Sequence, residues 1–319
     1  MYDYERRKSF GCADKNVGTQ RHNAFKLNHK SGSDFASDRR QRIMFRAGNF
    51  SLPLGGKTYV MGILNVTPDS FSDGGAYNTP EKALARALEM QGQGADIIDV
   101  GANSTRPGAE ILTAQEELER LIPVLDAVSG RLDVPVSVDT FYPECAKAAL
   151  ERGVSIINDV SGEFNSEMAQ LAKEFGAGYV VTHNPSSASH SEEYADGVVA
   201  HIRNFFIKAI ELSARAGLSR EQLCLDVGFG FGKSVEDNLE ILRNFQWMKF
   251  KGIALLAGAS RKRFIGAASG EENSALRDAG TVAAHTAAIA GGADIIRAHD
   301  VFSAVQGARV ADAIYRKTV

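Results

Sequence analysis

Eight short apolar segments, each followed by a longer amphipathic one, constrain the fold of this 319-residue chain more than any other feature. The segments are rich in β-branched residues and show no polar alternation, which is typical of parallel strands buried on both faces. Strands that alternate with helices predict parallel βαβ units. The predicted strands are residues 59–65, 95–100, 134–139, 154–160, 178–183, 223–227, 253–259 and 293–299.

Eight such units match a closed (β/α)8 barrel, an α/β fold, in both number and length. A doubly wound open sheet is the main alternative, but no GxGxxG motif follows the first strand. Thr79 and Pro80 predict the start of the first helix, and Thr113 and Glu116 form a capping box at the second. The predicted helices cover about 79–93, 113–129, 191–216, 235–245, 275–291 and 301–317, and Pro143 and Asn165 begin two more.

The first part of the chain differs from the rest in composition. Residues 1–46 hold 11 Lys and Arg against 5 Asp and Glu, whereas the whole chain has a net charge of −3. They have no hydrophobic period, so we expect a flexible basic extension; an electrostatic tether is the alternative. Gly55 and Gly56 indicate a turn, with a small hairpin as one form of it. Residues 47–319 are then expected to form a single barrel domain.

Charge and cysteine usage exclude several classes of protein. A net charge of −3 gives no general affinity for nucleic acid. Three scattered cysteines argue against a disulfide framework and against a structural zinc site. No apolar run reaches the roughly 18 residues that span a membrane, and the N-terminus lacks the apolar core of a signal peptide. We therefore expect a cytoplasmic protein with no membrane or nucleic-acid partner.

Polar side chains gather at the C-terminal ends of the predicted strands, where barrel enzymes place their chemistry. A single Asp at a strand end is more often structural, but a set drawn from all eight strands favours a functional pocket. The set comprises Asn65, Asp99, Asp139, Asn158, Asp159, His183, Asp226, Ser260, Arg261, Lys262, Arg297 and His299.

Three of these side chains indicate a heterocycle as ligand. Asp139, Asn158 and Asp226 offer carboxylates and an amide that suit a flat ligand with several N–H donors. Two polar loops, residues 67–75 and 103–110, could close over such a ligand.

Three others indicate phosphate. Arg297 and His299 offer hydrogen-bond donors, and Asn65 offers a neutral oxygen for the hard cation that accompanies a diphosphate. The Gly-rich stretch 228–233 either cradles phosphate or forms a packing turn, and its lack of the GxxxxGK[ST] spacing favours the turn. The pocket is therefore expected to bind a heterocycle joined to phosphate.

Seven stretches of this sequence resemble the motifs of the dihydropteroate synthase family, pterin-binding barrels. Two resemble its signature segments: residues 65–75, NVTPDSFSDGG, and residues 99–108, DVGANSTRPG. The others follow in the family's order at 137–140, 157–162, 230–233, 260–262 and 296–300. The resemblance covers about residues 57–317.

The resemblance implies a transferase of folate biosynthesis. The family condenses 6-hydroxymethyl-7,8-dihydropterin diphosphate with p-aminobenzoate, giving 7,8-dihydropteroate and pyrophosphate. It also implies Mg²⁺ as cofactor, a homodimer, and inhibition by sulfonamides, which mimic p-aminobenzoate. The alternative is a pterin-binding paralogue or methyltransferase-type domain without synthase activity, and retention of Asn65, Arg297 and His299 argues against it.

The resemblance further implies a role for each matching residue. The residues expected to act in catalysis are Asp139, Lys262, Arg297 and His299. Those expected to hold the pterin are Asp139, Asn158, Asp226, Lys262 and Arg297. Those expected to bind the diphosphate are Asn65, Arg297 and His299, with Asn65 also on the metal. Those expected on the p-aminobenzoate side are Thr67, Pro68, Phe71, Asp73, Ser104, Thr105, Arg106, Pro107 and Arg263.

Two positions depart from the family pattern near the second substrate. Asn103 stands where the family usually has Glu, and Arg263 stands where it usually has a Ser that contacts the p-aminobenzoate carboxylate. Arg263 either forms a salt bridge to that carboxylate, or turns to solvent, or blocks the slot.

Overall fold

The computed structural model describes residues 43–66, 79–103, 111–185, 194 and 196–316. Eight parallel strands close into a barrel, so the predicted (β/α)8 fold is confirmed. An antiparallel hairpin of β1 (Met44–Ala47) and β2 (Phe50–Pro53) precedes it. The barrel strands are β3 (Tyr59–Asn65), β4 (Ile97–Gly101), β5 (Val136–Asp139), β6 (Ile156–Asp159), β7 (Gly178–Thr182), β8 (Leu223–Asp226), β9 (Ala254–Ala257) and β10 (Ile295–Ala298).

Helices cover the outside of the barrel and begin close to the predicted capping residues. The Thr113 hydroxyl accepts a hydrogen bond from the Glu116 amide at 3.3 Å, and the Glu116 carboxylate accepts from the Thr113 amide at 2.8 Å. The helices are α1 (Pro80–Gln93), α2 (Ala114–Val128), α3 (Pro143–Leu150), α4 (Ser166–Glu174), α5 (Val198–Ala216), α6 (Val235–Arg243), α7 (Arg263–Ser269), α8 (Asp278–Ala290) and α9 (Val301–Tyr315). The sequence did not predict α7, because seven residues are too few for a helical period to be recognised.

The hairpin closes one end of the barrel interior. Phe45 of β1 is fully buried in the inner cluster of the barrel, which contributes about 1.5–3 kcal/mol. Its ring lies against Gly178 at the start of β7, where a Cβ atom would lie only 2.6 Å from Phe45 Cζ. Gly178 is therefore the residue that lets the ring enter.

The hairpin begins close to the predicted boundary between the N-terminal extension and the barrel. β1 begins at Met44, inside the extension predicted over residues 1–46, because Phe45 and Ala47 alternate into the core. Residues 1–42 lie outside the described residues. The division into an extension over 1–46 and a barrel over 47–319 stays a prediction.

Alternate strand residues face opposite sides of the barrel wall. Met61, Ile97 and Ile156 belong to the inner cluster, whereas Val60 and Ile98 pack against the surrounding helices. This alternation decides which polar residues near the strand ends enter the pocket. No helix in the described part of the chain is both long and apolar enough to cross a membrane.

Candidate active site

Five polar residues at the strand ends face the barrel interior, because each follows an inner-cluster residue by two or four positions. They are Asn65, Asp99, Asn158, Asp226 and Arg297. Asp139 joins them through the strand register, which pairs it with Gly101 on one side and with Asn158 on the other. A Cβ on Gly101 would lie 3.2 Å from the Cβ of Asp139, so glycine leaves room for this carboxylate.

Arg297 lies at the centre of the pocket between two carboxylates. Its Nε donates to Asp99 Oδ2 at 2.6 Å, and its Nη2 donates to Asp139 Oδ2 at 2.7 Å. Asn158 Nδ2 also donates to Asp99 Oδ2, at 3.1 Å. This network links four strands across the barrel mouth and fixes the guanidinium plane.

In this network, burial and neighbouring opposite charges shift the pKa values of the side chains in opposite directions. Burial raises the pKa of Asp139 to about 7, although the Arg297 guanidinium acts in the opposite direction. Burial alone would lower the pKa of Arg297, but Asp99 and Asp139 raise it above its usual value. Arg297 is therefore a permanent cation, while Asp139 can change its charge near neutral pH.

Asp226 and Lys262 add two further charged groups to the pocket. Asp226 Oδ1 accepts a hydrogen bond from the Gly228 amide at 3.0 Å, and burial raises the pKa of this carboxyl. A Cβ on Gly258 would lie 3.7 Å from Asp226 Oδ2 and 4.0 Å from Arg297 Cβ, so both side chains flank the same glycine. Burial lowers the pKa of Lys262 to about 8. The pocket thus places two cations beside three carboxylates.

His299 is oriented by Ser260. The His299 amide donates to Ser260 Oγ at 3.1 Å, and the same hydroxyl lies 2.9 Å from His299 Nδ1. His299 follows β10, and β10 pairs with β3, which ends at Asn65. The residues predicted to bind diphosphate therefore come from neighbouring strands.

Asn65, at the end of β3, offers one amide oxygen to a metal ion that arrives with its ligand. Among the described residues, no three His, Cys, Asp or Glu side chains form a group that could hold a metal. Mg²⁺ commonly keeps several waters and binds through one or two protein oxygens together with substrate phosphates. One amide oxygen together with the phosphates of a ligand would meet that requirement.

Two residues of the predicted strand-end set face away from the pocket. Asp159 accepts a hydrogen bond from the Tyr179 hydroxyl at 2.8 Å, on the helix side of the wall. The ring of His183 lies 5.2 Å from the rings of His201 and Phe205 on α5, and burial lowers its pKa to about 2. Each follows an inward-facing residue by one position, so alternation turns it outward.

After β9, the side chains of three consecutive cationic residues point in different directions. Arg261, with a φ of 57°, pairs with Asp278 at 2.7 Å on α8. Lys262 enters the pocket, and Arg263 is exposed at the first position of α7. Exposure leaves Arg263 accessible to a carboxylate at the rim, and it does not plug the barrel interior.

The predicted p-aminobenzoate loops lie mostly outside the described residues. This applies to Thr67, Pro68, Phe71, Asp73, Ser104, Thr105, Arg106 and Pro107. Asn103, at the edge of the second loop, is described: its Nδ2 donates to Glu117 Oε2 at 3.1 Å. Glu117 is fully buried on α2, and burial raises its pKa.

Sequence reasoning did not assign roles to three residues that the structure connects to the site. Asp99 is the shared acceptor for Arg297 and Asn158. Phe231 lies under the Lys262 ammonium, 4.1 Å from ring centroid to nitrogen. Glu117 accepts a hydrogen bond from Asn103, and the residue pattern of α2 did not indicate that an acidic side chain would be buried on this helix. Only Asp99 had a usable signal, its position near a strand end.

The sequence and the fold match known proteins. A family model described as "Pterin binding enzyme" matches residues 61–299. The chain is 44% identical over 266 residues to the dihydropteroate synthase of Synechocystis sp., covering 82% of this chain and 92% of the relative. The solved dihydropteroate synthase of Xanthomonas albilineans with 4-aminobenzoic acid is 39% identical, with a TM-score of 0.79 and coverage of 86% and 98%. The Yersinia pestis dihydropteroate synthase in a sulfonamide drug complex is 36% identical, with a TM-score of 0.78 and coverage of 85% and 98%.

Proposed function

This chain belongs to the dihydropteroate synthase family of pterin-binding enzymes, and from that premise we propose how its residues carry out the reaction. The enzyme is a transferase that joins 6-hydroxymethyl-7,8-dihydropterin diphosphate to p-aminobenzoate and releases pyrophosphate. Its product, 7,8-dihydropteroate, serves folate biosynthesis. The observation that carries the assignment of residues is the buried cation of Arg297 held between Asp99 and Asp139 at the barrel mouth.

The interior carboxylates and the amide hold the pterin. Asp139 and Asp226 accept hydrogen bonds from N–H groups on the polar edge of the ring, and Asn158 both accepts and donates there. Lys262 and Arg297 contact the ring from the side of the diphosphate. Burial of these groups supports the assignment, because an acceptor in a dry pocket gains more from an N–H donor than one in water.

The reaction proceeds as a dissociative displacement. The C–O bond between the pterin methylene and the diphosphate breaks, and the bonding pair leaves with pyrophosphate. Asp139 and Asp226 stabilise the positive charge that develops on the pterin. The aniline nitrogen of p-aminobenzoate then attacks the methylene to form the C–N bond, and the protonated amine that results releases its extra proton to water. Ser260, whose hydroxyl lies 2.9 Å from His299 Nδ1, is buried and also accepts from the His299 amide, so we assign it to orienting His299 and infer direct transfer without a covalent enzyme intermediate.

Three residues neutralise the departing diphosphate. Arg297 and His299 donate hydrogen bonds to it, with His299 oriented by Ser260. Asn65 would hold Mg²⁺, which supplies positive charge to the leaving group when bound. The proposed p-aminobenzoate slot is formed by the two loops that carry Thr67, Pro68, Phe71, Asp73, Ser104, Thr105, Arg106 and Pro107.

One assay tests this function against its alternatives. Pyrophosphate release from the pterin diphosphate is measured with and without p-aminobenzoate, and dihydropteroate is quantified in the same samples. We expect release to depend on p-aminobenzoate, to match dihydropteroate in amount, and to be inhibited competitively by a sulfonamide. Pterin binding without p-aminobenzoate-dependent release would instead identify a pterin-binding paralogue.

Arg263 is proposed to strengthen binding of the p-aminobenzoate carboxylate, because it is exposed at the start of α7, directly after Lys262. In the variant Arg263→Ser we expect the KM for p-aminobenzoate to rise about tenfold, the effect of losing roughly 1.4 kcal/mol of charge-assisted hydrogen bonding. The KM for the pterin diphosphate should stay unchanged. Equal p-aminobenzoate KM values in both proteins would make Arg263 irrelevant to the slot.

We also propose that the protein is a cytoplasmic homodimer. α9 presents an exposed apolar stripe of Phe302, Val310 and Ile314 at helical spacing, each about 60% exposed. A second copy of the chain would cover this face. The buried thiols of Cys145 and Cys224 are both free, which supports a reducing compartment. Light scattering that gives the monomer mass at micromolar concentration would contradict the dimer.

A further inference from the structure

The Gly-rich turn after β8 is packed against the end of β7. Gly228 has a φ of 65°, and a Cβ on it would lie 2.0 Å from the carbonyl oxygen of His183. No side chain fits at that point, so the backbone of the turn lies directly against the neighbouring strand end.

Lys233 forms hydrogen bonds to carbonyl groups in this turn and at the end of β7. Its ammonium donates to the carbonyl oxygens of His183 at 3.0 Å, Gly228 at 2.8 Å and Phe231 at 3.1 Å. A lysine ammonium has three N–H donors, and each has a main-chain acceptor here. The arrangement favours the packing turn over the phosphate cradle, because these donors are already used within the turn.

Residues of the same turn also contact the Lys262 side chain. The Lys262 ammonium lies 4.1 Å from the centroid of the Phe231 ring, and a Cβ on Gly230 would lie 2.9 Å from Lys262 Cδ. The Gly230 amide donates to Asn238 Oδ1 at 2.8 Å, which holds the turn on a second side. The position of Lys262 therefore depends on the shape of the turn.

The turn also reaches a second pterin-site residue. The Gly228 amide donates to Asp226 Oδ1, and the Gly228 carbonyl accepts from Lys233. One peptide segment thus lies between the buried ammonium and the carboxylate. Loss of the ammonium would leave the carbonyl groups of His183 and Phe231 without this donor and the Gly228 carbonyl with only the Phe231 amide at 3.3 Å, and so let the segment relax.

We propose that Lys233 is a positioning residue for the pterin site: its ammonium gathers three carbonyl groups and so sets the positions of Lys262 and Asp226. This inference rests on the proposed function, since it concerns the same pocket. Lys233 does not contact substrate. Its loss should weaken pterin binding and leave binding of the second substrate unaffected.

The test compares Lys233→Met with a matched lysine variant, Lys249→Met. Methionine keeps most of the side-chain volume and removes the ammonium. Lys249 forms an ion pair with the buried Asp294, which lies before β10 and so at the opposite end of the barrel. Both variants lose a lysine with buried partners, and only one loss lies beside the pterin site.

The measurements are the Kd for the pterin diphosphate by calorimetry, KM for each substrate, kcat, and Tm. For Lys233→Met we expect the pterin Kd and KM to rise about tenfold or more, with the p-aminobenzoate KM within about twofold of wild type. For Lys249→Met we expect a lower Tm with an unchanged pterin Kd. Wild-type pterin affinity in Lys233→Met overturns the proposal, as does an equal affinity loss in both variants.

A milder variant keeps the test decisive if Lys233→Met does not fold. Glutamine donates two hydrogen bonds from a neutral group, so Lys233→Gln should have a pterin Kd between those of wild type and Lys233→Met. An unchanged Kd in Lys233→Gln also overturns the proposal. Failure of the proposed function has a different signature, namely wild-type protein that releases no pyrophosphate in response to p-aminobenzoate.

Discussion

Replacing Arg297 by methionine should reduce kcat/KM by at least about 10³-fold and destabilise the barrel by about 3–5 kcal/mol. The stability loss follows from the fully buried Asp99 and the nearly buried Asp139, which would both lose their charged partner. Removing one member of a buried ionic network leaves uncompensated charge, which costs more than the network contributed. The activity loss is larger because Arg297 is proposed to contact both the pterin and the departing diphosphate.

The pH dependence of unfolding separates this mechanism from simple loss of packing. Burial already raises the pKa of Asp139 to about 7 and Arg297 lowers it, so without Arg297 the folded-state pKa of this carboxyl should lie further above its unfolded value. A raised carboxyl pKa penalises the folded state most at high pH, and the penalty fades as the pH falls through that pKa. The stability deficit of Arg297→Met, measured by urea unfolding, should therefore shrink between pH 8 and pH 5. A deficit that stays constant over this range would contradict the uncompensated-charge account.

Arg297→Lys is the matched control. Lysine keeps the positive charge but cannot donate in the fixed fork with which Arg297 reaches Asp99 through Nε and Asp139 through Nη2. We expect it to recover more than half of the lost stability and little of the activity. Full activity in Arg297→Lys would show that charge alone is enough at this position.

The barrel could be predicted because its strands are buried on both faces. The segment at 59–65 was predicted with the bounds that the structure gives to β3, and the other barrel strands differ from their predicted bounds by one or two residues at one or both ends. Capping residues such as Thr113 placed helix starts with similar accuracy. The short helix α7 was missed, since local propensity cannot outweigh the neighbouring turn signals in seven residues.

The candidate site could be predicted less completely than the fold. Alternate residues of a strand face opposite sides of the barrel wall. The set of polar residues predicted at the strand ends nevertheless included both inward-facing residues such as Asn158 and outward-facing residues such as Asp159. Which residue of such a pair enters the pocket depends on the register of the closed barrel, which a strand of four residues does not specify. The support of Lys262 by Phe231 and Lys233 also depends on backbone carbonyl groups, which have no sequence signature.

Asp139→Asn should separate catalysis from stability, in contrast to Arg297→Met. Asparagine keeps the shape and leaves Asp99 as the charged partner of Arg297. The substitution also removes a carboxyl group that is costly to bury in its charged form, since burial raises its pKa to about 7. Little folding free energy should therefore be lost. The rate should nevertheless fall by about 10²–10³-fold, because a neutral amide cannot stabilise the positive charge that, in the proposed mechanism, develops on the pterin.

The pH profile of kcat/KM for the pterin diphosphate, at saturating p-aminobenzoate, tests this role directly. That ratio reports ionisations of the free enzyme, so the wild-type value should rise with pH through about 7 as Asp139 becomes charged. In Asp139→Asn this acid limb should disappear. The alkaline limb from Lys262, with a pKa of about 8, should move to lower pH, because Asp139 raises the pKa of that lysine. An unchanged acid limb, or a single-turnover rate equal to that of wild type, would remove Asp139 from the chemical step and leave it as a pterin-binding group alone.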